Sequence, residues 1–141
     1  MPAVKQTSTE FTNYSGKTLT YRIERLLIEV GVPTNLKGFG YLRQAIEIVY
    51  NDPSAINDVL KGMYSSIAKS NNTSVSCVER NIRTALAIMW NGSSYFLQND
   101  AYSEMGIKLR HSPQPREFIA LISDKLRRGI AEPHNTVRYS E

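Results

Sequence analysis

One cysteine, Cys77, is too few for a disulfide framework, so the chain is expected to work in the reducing cytoplasm. Asn-x-Ser/Thr matches such as Asn71 to Thr73 are then chance hits. No run of about 18 apolar residues is present, which excludes a spanning helix of ordinary length. The opening "MPAVKQTSTEFTNYSGK" has neither an apolar core nor a cleavage pattern, so it does not read as a signal peptide. Histidine is scarce: His111 and His134 are far apart in the sequence. No Cys/His metal spacing, Gly-rich phosphate loop or nucleophile–base pairing accompanies them. An enzyme is therefore not expected, nor a metal or cofactor. Strand-like alternation and internal repeats are also missing.

What is there suits one globular domain. The chain has 141 residues, 41% of them hydrophobic and 21% charged, enough for a real core. The net charge of +4 is concentrated. Lys108, Arg110, Arg116, Lys125, Arg127 and Arg128 face only Glu117 and Asp124 within residues 108–128, and the rest of the chain balances. Such a segment is either a solvated helix face or a surface for an acidic partner such as nucleic acid.

Apolar residues recur at helical spacing along most of the chain. Leu19, Ile23, Leu26, Leu27 and Val30 predict a first helix, closed by Gly31 and Pro33. Tyr41, Leu42, Ala45, Ile46, Val49 and Tyr50 predict a second, stopped at Asn51-Asp52-Pro53. Ser54 is placed to cap a third, holding Ile56, Val59, Leu60 and Met63 and broken at Gly62. A short helix with Tyr64, Ile67, Ala68 and Lys69 runs into "SNNTS". Thr73 or Ser74 then caps a longer helix, although Ser76 with Glu79 also has capping-box spacing. Val75, Val78, Ile82, Ala85, Leu86 and Met89 are its core side, and Asn91-Gly92 is expected to end it. A short helix is expected near Leu97 to Glu104, then a basic connector "KLRHSPQP". Pro115 fits the first turn of a last helix, with Phe118, Ile119, Ile122 and Leu126 inside and Gly129 closing it. The reading is all-α, a compact bundle of about six helices over residues 18–129, with flexible segments at 1–17 and 130–141.

A short helix, a tight turn and a longer helix are the parts of a helix-turn-helix, whose second helix enters the DNA major groove. Glu79, Arg80 and Arg83 lie where base readers belong. Arginine forks onto guanine, and glutamate accepts from the cytosine amino group. The polar turn suits phosphate. Any helical bundle offers such pairs, so the pattern alone leaves ordinary surface open. Trp90, Tyr41, Tyr50 and Tyr64 read as core or core-edge aromatics. Arg127 and Arg128 either complement a helix end or contact phosphate.

Three stretches carry more than a pattern: "EVGVPTNLKGFGYLRQAIEIVYND", "SSIAKSNNTSVSCVERNIRTALAIMW" and "PREFIALISDKLR". In order and spacing they closely resemble the C-terminal effector domain of the master sporulation response regulator family of endospore-forming Firmicutes. The resemblance covers roughly Tyr21 to Arg128. It implies a six-helix domain with a helix-turn-helix, reading TGTCGAA-type boxes. Two copies in tandem on double-stranded promoter DNA and contact with RNA polymerase are also implied. The family's base-reading positions fall on Glu79, Arg80 and Arg83. Its phosphate-facing positions fall on Asn72, Thr73, Ser74 and Ser76, with Arg110 in the connector and Lys108 nearby. There are departures. Cys77 and Ser112 stand where the family has basic residues, Pro115 is unusual before the last helix, and no receiver domain precedes the effector-like part. The chain is then either part of a longer protein or a stand-alone paralogue, and its arm and tail favour the paralogue. Such a paralogue would regulate transcription itself, or act as an interaction or competitor module modulating a full-length regulator.

Overall fold

The computed structural model describes residues 19–58, 62–98 and 109–131. The segment 1–17, Lys108 and residues 132–141 lie outside them, as do 99–104 of the short helix expected near Leu97. Among the described residues the structure is all-α. Helix α1 covers residues 19–30 and α2 is Lys37–Asn51, followed by a 3-10 turn at Pro53–Asp58. Then come α3 (Tyr64–Ser70), α4 (Val75–Gln98) and α5 (Pro115–Ala131).

Helix α2 is the hub. It packs against α4 on one side and α5 on another. Leu42, Ala45, Ile46 and Val49 meet Ile82, Ala85 and Met89 of α4 and Phe118, Ile119 and Ile122 of α5 in one continuous core. Every core position expected from periodicity on α2, α4 and α5 is buried except Tyr50 and Val75, which are half-buried against it. Burying each large aliphatic or aromatic side chain is worth ~1.5–3 kcal/mol. Arg127 donates to the Val49 carbonyl at 3.3 Å and lies over the Tyr50 ring, 5.6 Å from its centre. It ties α5 to the electronegative end of α2. Arg128 pairs with Asp124 at 2.6 Å.

Helix ends show which local signals prevail. Gly31 has φ +100°, with its N–H on the Ile28 carbonyl and the Val32 N–H on that of Leu27. That is a Schellman close, sealed because Val32 folds back, buried, on Leu27. Gly92 does not end α4, contrary to expectation; the helix continues to Gln98. The same close at Gly92 would bring Ser93 onto Ile88, which is 43% exposed, so no apolar contact seals it. A glycine inside a helix costs only about 1 kcal/mol, which the continuing hydrogen bonds outweigh. Gly129 likewise sits inside α5, which runs to Ala131. Ser54 caps nothing. Its N–H and hydroxyl both donate to the Asp52 carboxylate, at 3.2 and 2.7 Å, so Pro53–Asp58 forms a 3-10 turn where the third α-helix was expected to start; Val59 and Leu60 of that helix lie outside the described residues. Pro115 is the first residue of α5, and the Glu117 carboxylate accepts from the Gln114 N–H at 3.2 Å.

Candidate nucleic-acid interface

The turn between α3 and α4 is built from its own polar residues. Asn71 donates to the Ile67 carbonyl at 2.7 Å and to Gln44 of α2 at 2.9 Å, so α2 holds the end of α3. Asn72 adopts φ +55°, the left-handed conformation that asparagine tolerates better than most residues. The Thr73 N–H then reaches the Ala68 carbonyl at 2.9 Å and closes α3. Ser74 is the N-cap of α4: its hydroxyl accepts from the Cys77 N–H at 3.1 Å. Of the caps allowed by the sequence, Ser74 is the one used, and Ser76 lies inside the helix.

Asn72 holds a left-handed backbone, and its side chain is the candidate for a phosphate contact; the two can be tested separately. Asn72→Gly keeps the backbone and removes the side chain. It should leave the melting temperature nearly unchanged and weaken DNA binding on all sequences. Asn72→Val should destabilise the fold by ~1–2 kcal/mol, the cost of a left-handed L-residue. Wild-type DNA affinity for Asn72→Gly would show that the side chain contacts no phosphate.

Helix α4 presents Ser76, Arg80, Arg83, Thr84 and Ala87 to solvent, in steps of one helical turn. From Ser76 to Arg83 this face spans about 10 Å. Arg83 is 56% exposed and contacts Glu79 at 3.3 Å, an i,i+4 pair. Glu79 is only 32% exposed. It lies on the flank toward α3, where its charge reaches the buried Tyr64 hydroxyl. Among the described residues, Arg80 has no carboxylate within ion-pair distance. The structure thus brings Asn72, Thr73, Ser74, Ser76, Glu79, Arg80 and Arg83 onto one turn and the first half of one helix. Arg110 is exposed on a separate segment, anchored by buried Leu109 and Pro113.

Cys77 fills a polar seam between α2 and α4. Its thiol is held below its ordinary pKa, chiefly by a hydrogen bond with the Thr73 side chain, with burial opposing and the charges of Arg80 and Lys37 assisting. Asn81 reaches the Cys77 carbonyl at 2.8 Å and the sulfur at 3.3 Å. Lys37 is a cation beside this helix start that sequence reasoning missed. The available signal was its place before Gly38 in "LKGFG", where close helix packing starts. Lys69, exposed in the last turn of α3, is another cation near the turn. No group of three or more His, Cys, Asp or Glu among the described residues is placed to hold a metal.

Residues 23–126 match the family model described as "Sporulation initiation factor Spo0A C terminal". The chain belongs to that family. Membership makes this the DNA-binding domain of a sporulation regulator and not an enzyme. The match begins within α1, ends within α5, and contains the whole α3–turn–α4 unit. No helix among the described residues is long and apolar enough to cross a membrane.

Proposed function

We propose that this domain reads short TGTCGAA-type boxes with α4 in the major groove. Arg80 and Arg83 fork onto guanine O6 and N7, and Glu79 accepts from a cytosine amino group. Asn72, Thr73, Ser74 and Ser76 hold the flanking phosphates, and Lys108 and Arg110 add cationic contacts from the connector. The observation that carries this reading is the exposed Arg80–Arg83 face on the first half of a helix that starts from a capped, polar turn. Two copies bind side by side on tandem boxes and meet RNA polymerase there, in the cytoplasm beside the chromosome. A second reading, a module that competes with or modulates a full-length regulator, is favoured by Cys77. Where the resemblance expects a cation, Cys77 has a thiol that Asn81 already contacts at 3.3 Å.

Fluorescence anisotropy on a duplex with two tandem boxes, beside a scrambled duplex and at two salt concentrations, tests the first reading. Clear preference for the boxes is expected. Arg110→Ala should weaken both duplexes alike and flatten the log–log salt slope by about 1. Equal, strongly salt-dependent binding to both duplexes would remove the base-reading role. Capture of a full-length regulator, with box occupancy but no transcription, would support the second reading.

A further inference from the structure

Tyr64 opens α3 and is fully buried, yet its hydroxyl has no hydrogen-bond partner among the described residues. A buried hydroxyl without a partner costs stability that phenylalanine, filling nearly the same volume, would avoid. The hydroxyl is therefore a feature to be explained. Helix α3 packs on α4, and the charges of Glu79 and Arg83 on α4 act on the Tyr64 hydroxyl. Burial, then the Glu79 charge, push the Tyr64 pKa up to about 12, with Arg83 opposing. The phenol remains a neutral O–H donor at working pH.

In the free protein the Glu79 carboxylate is drawn to Arg83, at 3.3 Å. An i,i+4 pair of this kind at a helix surface is weak and easily broken. Once Arg83 turns to DNA, Glu79 loses its cation while facing a polyanion. A carboxylate has two acceptor oxygens. We propose that Tyr64 is a positioning residue of the reading face, its hydroxyl donating to one Glu79 oxygen when Arg83 engages DNA and leaving the other for a base. The inference rests on the base-reading role proposed for Glu79.

The test is a double-mutant cycle in the full chain, Tyr64→Phe with Glu79→Ala, read by anisotropy on the tandem-box and scrambled duplexes and by thermal melting. Tyr64→Phe should melt at the same temperature or higher. It should bind the boxes about tenfold more weakly, the factor for one charge-assisted hydrogen bond of ~1.4 kcal/mol, with little change on scrambled DNA. In the Glu79→Ala background it should cost nothing further. Lower melting of Tyr64→Phe would mean that the hydroxyl already has a partner in the free fold, and would overturn the proposal. Unchanged box binding by Tyr64→Phe, while Glu79→Ala still lowers box preference, would overturn it and leave base reading intact. If Glu79→Ala leaves preference untouched, both fail.

Discussion

Arg80→Ala is expected to weaken binding to the preferred box by about 1–3 kcal/mol and to flatten discrimination at one base pair, with far less loss on scrambled DNA. Arg80 has the largest expected effect on binding because it is exposed and, among the described residues, unpaired. Arg83 must first leave Glu79. Arg80 needs no such rearrangement, so its fork is available to guanine in the free protein. Arg80→Lys separates charge from geometry. Lysine keeps the cation but loses the planar two-donor fork, so affinity for random DNA should return while box preference does not. Competition titrations against single-base variants of the box give the discrimination directly. Equal losses on specific and random DNA for Arg80→Ala would assign Arg80 to phosphate instead.

The all-α fold was legible because its helices carry apolar stripes that end at real stops. Gly31 was readable as a stop because Val32 follows it and supplies the apolar seal. Gly92 was misread because the glycine was weighed without its successor; Ser93 cannot seal onto an exposed Ile88. Ser54 was misread for a similar reason. Asp52, two residues before, has a carboxylate that takes both the N–H and the hydroxyl of Ser54.

The candidate interface was legible where it is local. Spacing alone put Ser76, Glu79, Arg80 and Arg83 on the outer side of the helix, where all but the half-buried Glu79 are exposed, and the polar turn marked where α4 begins. What the sequence hid is tertiary. The action of the Glu79 charge on Tyr64 depends on how α3 crosses α4, and that of the Lys37 charge on Cys77 on how α2 crosses it. The same holds for Arg127, which serves the end of α2, far away in sequence, and not its own helix end. Periodicity says which side of a helix is buried, but not which neighbour lies along its edge.

The α2–α4 crossing itself leads to the largest expected effect on stability. Gly38 lies in the first turn of α2, and a Cβ placed there would collide with the backbone carbonyl of Asn81 and sit 2.7 Å from the Ala85 methyl. Neither is the free end of a flexible side chain, so the helices must move apart. Gly38→Ala is expected to destabilise the fold by about 1–3 kcal/mol, as overpacking a well-filled contact does. Asn81 and Ala85 flank Arg80, Arg83 and Thr84 on α4, so the displacement also moves the proposed reading face. Box preference should fall even at temperatures where the variant is folded. Gly40, two residues on, is the control: a Cβ there meets nothing within 4 Å. Gly40→Ala should stabilise by ~0.5–1 kcal/mol, since alanine loses less backbone freedom in a helix. Thermal melting of the two variants should therefore shift in opposite directions. A rise in melting temperature for both would mean that helix propensity, and not the close approach of α2 to α4, governs this turn.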